Sequence, residues 1–366
     1  MSLALAPLGM LYGALARTRL RLYRSGFLKT DDAGVPVISV GNLTTGGTGK
    51  TPLVEWVARA LKREGLRACV LTRGYGRADE GRRVVASDGV RVLAEVRECG
   101  DEPRLLAERL LGAASVVCDR DRVTAARWAR EHLGAEVFVL DDGFQHLRIA
   151  RTLDMVTLDA TDPWGGGHLL PRGRLREPAS GLRRAGCVVI TRAELATDLE
   201  ALRAEVVRLC DERAAVIVSR TRTRGLKLLG GAEHVGHALI EFESEAVGQL
   251  DLESRGVEQP VAAFCAVGNP RAFFEHVRRD GFELCHTRAF PDHHAYTTSD
   301  IETVAREAVR RGARGLLTTA KDAVKLRGRD FALPCYVVEI DLEFDDEGKL
   351  LDLVRNAARG GTMTSR

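Results

Sequence analysis

A chain of 366 residues is long enough for two domains of ordinary size, each with its own core. Hydrophobic residues at 45% and charged residues at 29% describe a globular protein, soluble or peripheral, and exclude both a disordered chain and a multi-span membrane protein. A net charge of +3 gives no case for nucleic acid as a partner. The eight cysteines (Cys69, Cys99, Cys118, Cys187, Cys210, Cys265, Cys285 and Cys335) are scattered without a Cys-x-x-Cys pair, which argues for buried thiols in a reducing compartment and against a disulfide frame or zinc site.

Leu3 to Ala16 is almost wholly apolar and is followed by Arg17, Arg19, Arg21 and Arg24. Fourteen helical residues reach about 21 Å, short of the roughly 30 Å hydrocarbon core of a bilayer. A secretory signal carries its positive charge before the apolar run, not after it. The pattern predicts residues 1–27 as a helix resting on an anionic membrane surface; a helix packed on the protein's own core is the plainer alternative.

Val37-Ile38-Ser39-Val40-Gly41 reads as a β-branched strand, and Asn42-Leu43-Thr44-Thr45-Gly46-Gly47-Thr48-Gly49-Lys50-Thr51-Pro52 as a glycine-rich turn opening into a helix. That order makes a phosphate cradle: the turn points N–H groups at an anion and the helix adds its positive end. Thr44 to Thr51 would wrap the phosphates of ATP, with Lys50 reaching the β- and γ-phosphates and Thr51 ligating Mg²⁺. Thr44 stands where the generic P-loop has its first glycine, so the loop is a variant.

Downstream, the strand Ala68–Thr72 ends in Arg73-Gly74-Tyr75-Gly76-Arg77, at the edge where doubly wound sheets bind ligands. Gly100-Asp101-Glu102-Pro103 leads into a helix predicted from Arg104 to Leu111; its carboxylates suit either a helix N-terminus or acid–base work near the phosphates. Val116–Arg120 is another strand with a charged turn. Val137-Phe138-Val139-Leu140-Asp141-Asp142 resembles a Walker B element, whose acid holds Mg²⁺. Met155–Asp159 repeats the strand-then-acid pattern, and the Gly/Arg-rich loop Trp164–Pro178 reads as a substrate surface. Cys187–Arg192 and Ala215–Ser219 close a parallel α/β sheet spanning residues 28–219. Residues 220–260 read as a connector hairpin or linker, and 261–366 as a second, smaller α/β domain. In that domain Val261–Pro270 reads as a strand and a tight turn, with further strands at 284–289, 315–319 and 335–340 and helices at 271–280 and 299–311. Its Phe290-Pro291-Asp292-His293-His294 turn carries titratable groups at a strand's end.

Taken in order, these motifs, with Asp141-Asp142-Gly143-Phe144-Gln145-His146, Leu175-Arg176-Glu177-Pro178, Gly268-Asn269-Pro270, Asp292-His293 and Thr319-Ala320-Lys321-Asp322-Ala323-Val324-Lys325-Leu326, resemble the tetraacyldisaccharide 4′-kinase family, the lipid A 4′-kinases of Gram-negative bacteria. The resemblance runs from about residue 36 to 326 and includes the Thr44 departure. It implies transfer of the ATP γ-phosphoryl to the 4′-hydroxyl of a tetraacyl glucosamine disaccharide 1-phosphate, giving lipid IVA. It also implies an N-terminal helix in the inner leaflet, at the cytoplasmic face of the inner membrane. The catalytic Asp of the family aligns with Asp101 and its partner His with His293. On that reading Asp101 takes the hydroxyl proton, oriented by a His from the other domain once the domains close. Lys50 and a magnesium ion on Thr51 and Asp142, with Asp141 as the other candidate ligand, balance charge on the phosphoryl oxygens. Glu102, Gln145, His146 and Glu177 are supporting residues, and Arg73, Arg120, Arg172 and Arg176 are candidates for the substrate's 1-phosphate or the nucleotide. Two rivals remain: a P-loop switch or partitioning-type ATPase, and a phosphoesterase built on Asp292-His293-His294.

Overall fold

The computed structural model describes residues 5–230, 239–241 and 257–361. Their contacts divide the chain into two compact units, Met1–Arg220 with Leu342–Arg366, and Thr221–Asp341.

The first unit begins with α1 (Ala6–Arg24), which extends the apolar run of the sequence through its arginines. A doubly wound sheet follows, in the chain order β1 (Val37–Asn42), α2 (Lys50–Arg63), β2 (Ala68–Thr72), β3 (Val84–Ser87), α3 (Val96–Cys99), α4 (Asp101–Arg109), β4 (Ala114–Cys118), α5 (Arg122–Leu133), β5 (Val137–Asp141), β6 (Leu153–Asp159), β7 (Cys187–Thr191), α6 (Leu199–Leu209) and β8 (Ala215–Leu229). Across the sheet the order is β3-β4-β2-β5-β1-β6-β7-β8; every pairing is parallel except that of β3 with β4. The strands read as unbroken apolar runs because both faces are covered. In β2, Val70 faces the core shared with Leu53, Val57 and Leu61 of α2, while Cys69 and Leu71 face the core under Val123, Ala126 and Ala129 of α5. That alternation is the two-residue period of a strand. The winding reverses at β1, between β5 and β6, so the crevice beyond its carboxyl end is where such a sheet takes its ligand.

The second unit holds the distal part of β8, which pairs antiparallel with β9 (Leu239–Glu241) through Gly225–Lys227. A parallel four-stranded sheet follows, built from β10 (Val261–Cys265), α7 (Pro270–Arg279), β11 (Leu284–Ala289), α8 (Thr298–Arg310), β12 (Gly315–Thr319), α9 (Ala320–Ala323) and β13 (Cys335–Phe344), in the order β11-β10-β12-β13. Val261, Ala263 and Cys265 pack toward Phe274 and Val277 of α7, and Ala262 and Phe264 toward Ile301, Val304 and Ala308 of α8. Much of the expected 220–260 connector lies outside the described residues; the part within them is the β8–β9 pairing.

Two boundaries differ from the sequence reading. The helix expected from Arg104 begins at Asp101, with Gly100 as its cap, because Pro103 is tolerated within a first turn whose N–H groups have no helical partner. The C-terminal stretch expected in the second domain belongs with the first. The last helix, α10 (Glu347–Ala358), buries Leu350, Leu353, Val354 and Ala357 in the core under α2. Its surface is tied down by Trp56 Nε1 donating to Glu347 at 3.0 Å and by Arg355 on both oxygens of Glu64 at 2.9 Å.

Candidate active site

The site begins where β1 ends. Gly49 caps α2 with φ 79°, a left-handed turn that suits glycine, and Lys50 is the first helical residue. Gly41 lies just upstream, and a side chain there would come within 2.6 Å of the Phe144 backbone nitrogen. The loop after β5 therefore crosses directly over β1, which brings the two motifs into one place. Lys50 Nζ lies 3.4 Å from Asp142 Oδ1, and Arg176 Nη1 donates to Asp142 Oδ2 at 2.7 Å.

Asp141 and Asp142 are adjacent but face different surroundings. Asp141 is the last residue of β5, buried, and accepts the Thr72 hydroxyl at 2.9 Å. Burial pushes its carboxyl up to about 6, helped by the charges of Glu102 and Asp142 and opposed by Lys50. Burial pushes Asp142 the same way, but the Lys50 and Arg176 cations override it and hold the carboxyl down at about 2. Asp142 sits at φ 53°, and its Oδ1 is buried without a hydrogen bond among the described residues. A buried, ionised oxygen facing only an ammonium is what Mg²⁺ would take, with one or two carboxylates supplying part of its shell and phosphate and water the rest. The residues fit that ion. Among the described residues no group of three or more His, Cys, Asp or Glu could hold a metal by itself.

The turn before α4 sits beside these acids. Asp101 is buried, opens the helix, and accepts the Glu102 N–H at 2.9 Å. Asp101 is thus the first helical residue and not the cap, and Glu102 is near enough to raise Asp141. Gln145 donates to the Asn42 carbonyl and to Glu177, both at 2.8 Å. Glu177 is buried on Arg184, which reaches both its oxygens at 2.6 and 2.8 Å and lies 3.8 Å from the Phe144 ring centre. His146 is pulled down to about 4 by burial and by Arg122, Arg151 and Arg19, which keeps it a neutral imidazole at pH 7. Of the candidate arginines, Arg176 serves Asp142, Arg73 pairs with Glu80 at 3.4 Å, Arg120 is exposed, and the Arg172 Cβ lies 3.6 Å from where a side chain on Gly9 would begin.

Sequence reasoning missed the residues that fix the P-loop from the β6 and β7 side. Thr48 shares a 2.7 Å hydrogen bond with Thr157, and Thr191 donates to the Thr48 carbonyl at 3.0 Å. Arg192, at φ 54°, donates to the Gly47 carbonyl at 2.8 Å and pairs with Asp159. Their signal was present as polar residues ending apolar strands, but a strand-end pattern does not say which neighbouring loop they meet.

In the second unit His293 also has positive φ (62°) and follows Asp292, with Lys321 Nζ at 3.1 Å from Asp292 and 3.4 Å from His293 Nε2. His294 turns instead to Asp300 at 3.0 Å. Asp142, Arg192 and His293 are the non-glycine residues with positive φ among those described, and each stands at a candidate functional position.

A family model for tetraacyldisaccharide-1-P 4′-kinase (LpxK) matches residues 1–359. The chain belongs to that family. A tetraacyldisaccharide 4′-kinase of Anaeromyxobacter dehalogenans (strain 2CP-C) is 46% identical over 333 residues, covering 87% of this chain and 83% of that protein. The one from Pelobacter propionicus is 40% identical and covers 96% and 91%. The crystal structure of an "apo" form of LpxK from Aquifex aeolicus in complex with ATP superimposes with a TM-score of 0.71 at 31% identity, covering 97% of this chain and 99% of that one. Family membership makes the chain a kinase of lipid A biosynthesis and sets aside the switch-ATPase and phosphoesterase readings.

Proposed function

We propose that the crevice at the carboxyl end of β1 transfers the γ-phosphoryl of ATP to the 4′-hydroxyl of a tetraacyldisaccharide 1-phosphate. The observation that carries the mechanism is the Lys50–Asp142–Arg176 arrangement beside buried Asp141. Residues 44–51 cradle the phosphates, and Lys50 offsets charge on the transferred group. Thr51 and Asp142 would hold Mg²⁺, with Asp141 next to them. The chemistry supplied there would be positive charge against the phosphate oxygens. A sugar hydroxyl is a weak acid, so its proton must leave as the new P–O bond forms; Asp101 accepts it, with His293 as its partner. Arg73, Arg120 and Arg172 remain candidates for the 1-phosphate, with Glu102, Gln145, His146 and Glu177 in support.

We also propose that α1 rests on the cytoplasmic face of the inner membrane. Leu8, Met10, Leu11 and Leu15 are each more than half exposed, and arginines follow them. No described helix is long and apolar enough to cross a bilayer.

The test follows phosphate from ATP to a detergent-dispersed tetraacyldisaccharide 1-phosphate in the presence of Mg²⁺. Transfer by the wild type and a loss of at least roughly a hundredfold in Asp101→Ala are expected. Hydrolysis of ATP without lipid product would overturn the assignment. For the helix, co-sedimentation with phosphatidylglycerol vesicles should fall in a Leu11→Glu, Leu15→Glu variant; unchanged sedimentation would remove α1 as the anchor.

A further inference from the structure

The two faces of α1 do different things. At about 100° per residue, Leu8, Leu11 and Leu15 fall on one stripe, Gly9, Tyr12 and Gly13 fall on another roughly a third of a turn away, and Arg19 lies at the border between them. The second stripe lies on the Gly/Arg loop. A side chain on Gly13 would meet Leu169 Cδ1 at 2.5 Å, so that glycine lets the helix sit close against the loop, and Gly9 faces the Leu169 carbonyl oxygen at an ordinary contact distance. From there two side chains reach inward. The Tyr12 hydroxyl donates to the Arg176 carbonyl at 2.9 Å, and Arg19 Nη1 donates to the Gln145 carbonyl at 3.0 Å. Arg176 holds Asp142 Oδ2 at 2.7 Å and lies 3.4 Å from Gln145 Oε1, while Gln145 is tied to Asn42 and Glu177. Hydrogen bonds from α1 to the main chain of Arg176 and Gln145 therefore tie the exposed apolar helix to the two residues whose side chains hold Asp142 and Glu177.

We propose that α1 is a working part of the phosphoryl-transfer site: Tyr12, seconded by Arg19, is a positioning residue that sets Arg176 and Gln145 and through them Asp142. This rests on the kinase reading of the crevice. It assigns the helix a role besides anchoring, because seating α1 on a lipid surface then also sets the acid that takes the magnesium ion.

The experiment is a double-mutant cycle on the full-length protein, read as kcat and KM for the lipid acceptor in mixed micelles. Tyr12→Phe keeps the ring and removes only the hydroxyl. It should lower kcat about fivefold, the worth of one hydrogen bond. KM for the lipid and sedimentation with phosphatidylglycerol vesicles should stay unchanged. In an Arg176→Ala background, where the link to Asp142 is already cut, the same change should alter kcat less than about twofold. Effects that multiply in full across the two backgrounds would overturn the proposal, as would a loss of vesicle binding that matches the loss of activity. A wild type that forms no lipid product would instead refute the kinase reading. The cycle would then be read on Mg²⁺-dependent ATP binding, where the same non-additivity is expected and its absence overturns the link.

Discussion

Arg184 does its work out of solvent. Its guanidinium reaches both oxygens of Glu177 and the Phe144 carbonyl and stacks on the Phe144 ring, and both members of the ion pair are almost fully buried. A buried pair gives little net stability compared with apolar residues of the same volume, but breaking one half strands a charge. Arg184→Ala should therefore cost about 3–5 kcal/mol, measured as a lowered urea midpoint at unchanged slope. A stability change of less than about 1 kcal/mol would mean that Glu177 is not left as a stranded buried charge. At this scale the sequence was most informative where chemistry is fixed by type: Lys50, Asp141 and Asp142 were legible because a glycine turn before a lysine, and a strand before acids, leave few other uses. Arg176 was legible as a cation but not as the partner of Asp142, since that pairing depends on a loop folding back over thirty residues later in the chain.

The elements differ in how strongly their ends are specified. Helix α8 opens with a capping box: the Thr297 hydroxyl accepts the Asp300 N–H at 3.2 Å, and Asp300 takes the Thr297 N–H at 2.8 Å and the His294 ring at 3.0 Å. The backbone N–H and hydroxyl of Thr297 and then His294 hold the Asp300 carboxyl down at about 2. A carboxyl lowered on folding contributes stability above its unfolded value of about 4, and that stability is lost as pH falls through about 2. Asp300→Asn should thus destabilise the protein at pH 7 by about 1 kcal/mol, with the difference from wild type shrinking between about pH 4 and 2. A gap constant with pH would mean that the charge of Asp300 does not matter. Strands β2, β5 and β12 were legible residue for residue, because each is a short run of mostly apolar or β-branched residues; β11 was read with the same bounds although it mixes polar and apolar residues. Strand β3 was not: Val84–Ser87 is only four residues, antiparallel at the sheet's edge, too short a run to stand out from the loop around it. Helix α5 was missed because its buried side is mostly alanine, which gives little periodic contrast.

For the whole molecule, the α/β class and the presence of two units were legible from the alternation of strands and helices. The path of the chain between them was not. Nothing local in Glu347–Ala358 distinguishes a helix that closes the second unit from one that returns to the first, because an amphipathic stripe does not name the surface it covers. The structure pairs it with α2, the helix that follows the P-loop. Ending the chain after Asp345 should therefore weaken ATP binding and lower the first unit's thermal midpoint, although every P-loop residue is retained. A truncated protein with the wild-type midpoint would show that α10 is dispensable.

That return also bears on synthesis. Thr221–Asp341, about 120 residues, is made after the sheet of the first unit and before the helix that covers its α2 face. At ~5–20 residues per second, Val57 and Leu61 wait some tens of seconds for Leu350 and Val354. A nascent chain in that interval carries an apolar patch that chaperones can recognise, and an interrupted one carries it permanently. The core over α2 is thus completed only when Glu347–Ala358 has left the ribosome and folded back onto it.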